Sequence, residues 1–299
     1  AGASVLLLEK SRFPRDKVCG CCINARALDV LRRVGLGGLP ERLHAAPLDR
    51  VRLYAGTSSA TLPLPRGVSL SRGRFDEALV AEAVAAGATF RDGAAAAATI
   101  LQAGEHRIGV RGLGEVRARV IVVADGLGGR FLDHAPAFAS GIAPASRMGC
   151  GCILPRGPYT PAPGVIHMAC GEGGYVGAVR LEDGRTDVAA ALDLGFAQHH
   201  GGPALAAAAL AEEARWPWAA ALREADWRGT PRLTRRRRTV AADGVFVVCD
   251  AAGYVEPFTG EGIAWALAGG EAVAPRALRA ARERWSDRLA AAWTLEHRR

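Results

Sequence analysis

The sequence predicts an α/β (α+β) chain, a parallel sheet into which an antiparallel sheet is inserted, and three observations carry that expectation. Residues 5–8 form a continuous apolar run closed by Glu9, the pattern of a strand buried on both faces. Two more apolar runs, VIVVADG and GVFVVCDAAG, return later and lead into Asp125 and Asp250. Between them, residues 147–193 change character: MGCGCILP, GVIHMACG, GYVGAVRLE and TDVAAALD are separated by Gly and Asp turns, which reads as an antiparallel sheet.

The elements follow in order. INARALDVLRRVGLGG spaces Ala27, Leu28, Leu31 and Val34 at helical intervals, with Asn24 as N-cap and Gly35 as stop. VRLYAGT and SATLPLP alternate around turn residues and predict a hairpin over 51–64. RFDEALVAEAVAAGA predicts a helix ended by Gly87, followed by short strands near 88–91, 107–111 and 116–117. Residues 203–225 read as a helix, and two more helices, 260–274 and 277–295, close the chain. This order implies two discontinuous domains: 1–50 with 65–140 and 230–299, and 51–64 with 141–229. The second is expected to wall a ligand cleft.

A chain of 299 residues with 49% hydrophobic and 23% charged content is long enough for a large core. Its net charge of +8 suits an anionic partner such as a phosphate-bearing cofactor or an acidic lipid surface. No apolar run reaches the roughly 18–20 residues of a spanning helix, and nothing has the layout of a secretory signal. The expected place is the cytoplasm, with peripheral membrane contact as a variant. Seven cysteines, at 19, 21, 22, 150, 152, 170 and 249, are an odd number and suit a reducing compartment. Cys150 and Cys152 alternate as residues of one strand face do, and no metal site is expected. The run TRRRRT lacks interleaved aromatics, so it reads as a solvated strand edge and no nucleic-acid partner is expected.

Glu9 stands where dinucleotide-binding folds place the carboxylate that receives the adenosine ribose hydroxyls. The Gly-rich turn that accompanies such a strand should lie about 20 residues earlier, before the first residue of this chain. FVVCDAAGYVEPFTGEGIAWAL delivers Asp250 into a Gly- and Pro-rich loop before a helix that is expected to begin at Gly260. This stretch resembles the second FAD motif of the para-hydroxybenzoate hydroxylase fold. In that fold an aspartate binds the ribityl chain and the helix aims its N-terminal amides at the flavin ring, where reduced flavin carries negative charge. The resemblance implies Asp250, Pro257, Gly260, Gly262 and Ile263 as cofactor-binding residues. The family usually has Gly where this chain has Cys249.

LSRGRFDEAL resembles the segment whose arginine contacts the cofactor, which implies Arg72, and VIVVADGLGGR resembles the middle motif, which implies Asp125. FPRDKVCG resembles the geranylgeranyl reductase branch, in which the Cys and Gly lie against the flavin, here Cys19 and Gly20. The aromatic and Pro-Lys substrate motif of the prenyl reductases is not found near residues 173–179. Together these resemblances imply an FAD-binding Rossmann-like sheet with an inserted substrate-domain sheet. They imply an FAD-dependent oxidoreductase that acts on a small or lipid-like organic molecule, with NAD(P)H as electron donor, by C=C reduction or hydroxylation. A noncatalytic remnant with little FAD binding is the alternative. No residue stands out as general acid or base; His167, Tyr175 and Arg180 lie on strands expected to face the cleft.

Overall fold

The structure, a computed structural model, describes residues 2–102, 104–157, 160–256 and 258–297. The expected parallel pairing is present in two places. Leu6–Leu8 lies parallel to Thr89–Arg91, and Ile121–Val123 lies parallel to Val245–Val247. The second pair sits in a core built by Val123, Phe246, Val247 and Trp293; the apolar run Val245–Val247 is buried on both faces, whereas Val122 of its partner strand is exposed. Asn24 caps the helix Ala25–Arg33 as expected, its Oδ1 accepting from Ala27 N at 2.9 Å.

The largest sheet has eight strands, in the order Arg228–Arg232, Met148–Leu154, Thr186–Leu192, Gly174–Arg180, Gly164–Gly171, Ala46–Ala55, Ser58–Ser69 and Cys22–Ile23. The hairpin read at 51–64 therefore extends at both ends. The sheet is mixed rather than purely antiparallel, because Gly164–Gly171 runs parallel to Ala46–Ala55. Alternation in sequence is the same for either direction, so only the meeting of two distant segments sets this orientation.

The two faces of this sheet differ in what covers them. Cys150, Cys152, Ala169, Val176, Ala178 and Ala190 pack beneath the helix Pro203–Glu213. Val51, Leu53, Ile166, Met168, Tyr175 and Ala191 form the other face, against Leu127, Leu233 and Tyr254. Cys150 and Cys152 do share a face, and burial pushes both thiols up to about 12.

Three expectations need correction. The helix expected over 203–225 ends at Glu213, since Arg215 turns left-handed (φ 54°) and Pro217 bars helical geometry for the residue before it; Ala219–Arg223 resumes as a 3₁₀ turn. The final pair is divided differently, because Gly262–Glu283 runs unbroken through Pro275 and is followed by Asp287–His297. Ile263, Ala264, Val273 and Ala280 bury one stripe of that long helix, and this burial offsets the roughly 3 kcal/mol that an interior proline costs. The arginine run is not a sheet edge either: Arg235–Arg237 is the central strand between Ser140–Ile142 and Gly253–Tyr254. Its backbone is paired on both sides, and Arg237 Nε donates to the Ala251 carbonyl at 3.0 Å. Among the described residues no helix is long and apolar enough to cross a membrane.

Candidate functional site

The strand Val245–Val247 stops before the motif aspartate, and the chain turns sharply at Cys249, whose φ of 55° lies in the left-handed region. That backbone explains why glycine suits this position in proteins with the same motif. Cys249 Sγ reaches the Ala266 carbonyl at 3.5 Å, and burial together with Asp250 pushes its thiol up to about 11. Asp250 then lies in the short helix Cys249–Ala252 rather than at a strand end, with Oδ2 3.3 Å from Lys17 Nζ.

The long helix begins at Gly262, two residues later than expected. A Cβ added to Gly260, Gly262 or Gly20 would meet nothing within 4 Å, so the backbone borders open space at 260–262 and at Gly20. Gly260 also has a φ of 71°, which glycine adopts without strain. Ile263 turns its side chain into a core with Leu31, Leu70 and Phe75, so it anchors the first turn of the helix. Pro257 lies outside the described residues.

The segment carrying Arg15, Lys17 and Cys19 ties the predicted residues together, because alternate side chains reach different partners. Arg15 Nε donates to Glu9 Oε2 at 2.8 Å and its Nη1 lies 3.3 Å from Asp76 Oδ2. Glu9 Oε1 in turn accepts from Ser11 N at 2.9 Å. Asp76 also accepts from Arg72 Nε and Nη2, at 3.0 and 2.8 Å. Arg72 hydrogen-bonds Cys19 as well; burial opposes its charge, but Cys19 and Asp76 outweigh burial and hold it firmly ionised. Lys17 spans to Asp250 and also stands near the 125–126 turn, 3.8 Å from where a Cβ on Gly126 would sit.

Asp125 faces its own turn, accepting from Phe131 N at 3.1 Å. A Cβ at Gly129 would fall 2.0 Å from Asp125 Cγ, so glycine at 129 is what lets the carboxylate fold back.

Cys19 has a neighbourhood that the sequence reading did not resolve. A hydrogen bond from the Cys21 thiol lowers the Cys19 thiol well below its ordinary range; burial opposes this and Arg72 reinforces it. Cys21 is raised by the same bond, and its side chain also bonds Asp187. Burial holds Asp187 well above the usual carboxylate range, and its Oδ2 has no hydrogen-bond partner. The available signal was the spacing of residues 19–22, which contains both a C-x-C and a C-x-x-C interval.

Of the three strand residues expected to face the cleft, only Tyr175 lies on the face turned toward Tyr254 and Leu127. It packs edge-on against Phe258 with ring centroids 5.0 Å apart; burial raises its hydroxyl and the nearby Glu256 adds to this. Glu256 is itself held by Arg147 at 2.8 Å, and Arg147 also reaches Asp193 at 3.0 Å. His167 is on the opposite, helix-covered face, bonded to Tyr54 at 2.9 Å and enclosed by Trp216 and Trp218. Arg180 shares the alternation of Val176 and Ala178, which also face the helix. Neither belongs to the cleft, because one residue of register decides the face.

A parallel α/β layer, a sheet facing its loops, and an aspartate-to-glycine loop before a long helix define a flavoprotein. The sequence matches the FAD binding domain family over residues 1–274, and the chain belongs to that family: it is an FAD-dependent oxidoreductase. Among curated relatives it is 31% identical over 280 residues to digeranylgeranylglycerophospholipid reductase 1 of Methanopyrus kandleri, covering 89% of this chain and 72% of that protein. Solved structures with the same fold include the myxobacterial chondrochloren halogenase CndH, with a TM-score of 0.82 and 20% identity over 100% of this chain and 74% of that one. A variant of the halogenase PltM in complex with FAD superposes with a TM-score of 0.80 at 14% identity, over 99% of this chain and 69% of that one.

Proposed function

We propose that the enzyme reduces a carbon–carbon double bond in a lipid-like substrate, with NADH or NADPH as electron donor. The observation that carries this reading is the apolar sheet face of Val51, Leu53, Ile166, Met168 and Tyr175, which packs toward Tyr254 in the loop between Asp250 and Gly260. The 31% identical reductase, whose name specifies a geranylgeranyl lipid, supports it. Residues 51–64 with 141–229 would supply this wall, and the rest of the chain would supply the flavin site.

The residues present fit FAD. Gly20, Gly260 and Gly262 leave open space where a flat ring needs close backbone approach, and the helix starting at Gly262 offers free amides to an anion. In this proposal Asp250 accepts from the ribityl hydroxyls, Glu9 from the adenosine ribose, and Asp125 and Arg72 border the cofactor with Cys19. Pro257 and Ile263 shape the loop and first turn that hold Gly260 and Gly262. Bound FAD supplies the transfer of reducing equivalents. The chain's own part is to orient the substrate, exclude water by apolar contact, and keep Lys17 paired with Asp250. The net charge of +8 suits approach to an acidic membrane that would deliver such a substrate.

An anaerobic test separates the candidate reactions. The flavin-loaded protein is reduced with NADPH or NADH, mixed with a polyprenyl lipid in detergent, and followed by flavin absorbance and product mass. Reoxidation without oxygen, with a product heavier by two hydrogens, is the expected result. A product heavier by one oxygen and formed only in air would replace reduction by hydroxylation. No flavin absorbance after incubation with FAD would overturn the whole reading.

A further inference from the structure

Cys21 and Asp187, both buried, lie beside the half-buried Cys19 in a cluster whose paired thiols a cofactor contact at Cys19 does not explain. Three observations set it apart. First, Cys19 and Cys21 share a thiol hydrogen bond, whereas Cys22 is engaged elsewhere, its Sγ donating to the Gly20 carbonyl at 3.0 Å. Second, Arg72 is fixed by a two-pronged pairing with Asp76 and bonds Cys19, so a full positive charge stands beside that sulfur. Third, Cys19 and Asp187 line the same cavity of about 110 Å³, together with Lys17, Cys152 and Arg228. Asp187, only 4% exposed, has an unpartnered carboxyl oxygen there. A single water takes about 30 Å³ of liquid, so a molecule as small as hydrogen peroxide fits.

We propose that Cys19 and Cys21 are a peroxide-sensitive pair, in which Cys19 is the attacking thiolate and Cys21 the resolving thiol that closes a disulfide with it. The Cys19 sulfur attacks one oxygen of hydrogen peroxide and the O–O bond breaks. Cys19 becomes a sulfenic acid, and the hydroxide that departs takes a proton to become water. The Cys21 sulfur then attacks the Cys19 sulfur and the S–O bond breaks. That hydroxide leaves as water with the Cys21 proton. Two thiols lose two electrons in all, and one peroxide is reduced to two waters. Cys21 sits in the left-handed region (φ 50°) between Gly20 and the strand Cys22–Ile23, so the chain turns between the two cysteines and the strand. Stabilisation of the thiolate by a cation and a donor thiol is what makes such a cysteine reactive.

The test treats the reduced 299-residue chain with equimolar hydrogen peroxide, with and without dimedone, and reads the intact mass and the tryptic peptide 18–26. The wild type is expected to lose the mass of two hydrogens and to take no dimedone. Cys21→Ser is expected to trap the sulfenic acid as a dimedone adduct on Cys19, Cys19→Ser to show neither change, and Cys22→Ser to behave as wild type. A dimedone adduct in Cys22→Ser but not in Cys21→Ser overturns the pairing. Wild-type protein in which Cys19 and Cys21 stay reduced while Cys150 and Cys152 oxidise overturns the proposal altogether. Should a variant fail to fold, the wild type still decides: iodoacetamide labelling of Cys19 should persist below pH ~8.5, the ordinary thiol range, and labelling that fades like an ordinary thiol refutes it.

Discussion

Replacement of Asp250 by alanine separates a cofactor contact from a structural one. In the structure its only described side-chain partner is Lys17, 3.3 Å away, with the two side chains 20% and 38% exposed. A pair so open to water contributes about 0–1 kcal/mol, so Asp250→Ala should lower the melting temperature by no more than about 2–4 °C. Hydrogen bonds from ribityl hydroxyls to a charged acceptor are worth about 1.5–3 kcal/mol, so FAD affinity should fall by roughly ten- to more than a hundredfold. The wild type and variant are titrated with FAD by fluorescence, and the same samples are melted. Unchanged affinity, or a melting loss far larger than the ion pair allows with no selective effect on FAD, would refute the assignment of Asp250 to the flavin site.

Cys249→Gly should relieve about 1–2 kcal/mol of left-handed strain, offset in part by loss of the buried sulfur; a melting temperature that falls by several degrees would show that the thiol's packing outweighs the backbone term. His167 is lowered to about 4, first by burial and then by Arg52. Because its folded value lies below the unfolded one of about 6.5, it adds stability above that pH, and this is lost as pH falls toward 4, by up to about 3 kcal/mol. Denaturant melts of His167→Gln across that window should show a shallower decline than wild type, and an equal decline refutes this source. Asp187 is raised by burial, so its folded form is favoured below the usual carboxylate range and disfavoured as pH rises through its folded value. Asp187→Asn should therefore raise the melting temperature near neutral pH and lose that advantage in acid; a fall at neutral pH would show that the charged carboxylate is needed.

Local pattern made much of this protein legible. An apolar run ending at Glu9, another leading to Asp250, Asn24 before an amphipathic run, and a Gly-rich loop before a helix each encode their own backbone, because period, capping and glycine freedom act over a few residues. The same locality explains Cys150 and Cys152, whose alternation alone puts them on one face.

Tertiary structure alone decided what depends on distant segments meeting. His167 and Tyr175 looked alike in sequence, yet strand register turned one toward the covering helix and the other toward the Tyr254 loop. Strand alternation does not encode direction, so the parallel pairing of Gly164–Gly171 with Ala46–Ala55 was not readable. Pro275 punctuates a sequence but not this helix, because burial of Val273 and Ala280 outweighs its local penalty. The chain Glu9–Arg15–Asp76–Arg72–Cys19, and Asp187 at its far side, join positions far apart in sequence, and their charges perturb one another only once burial removes the water between them.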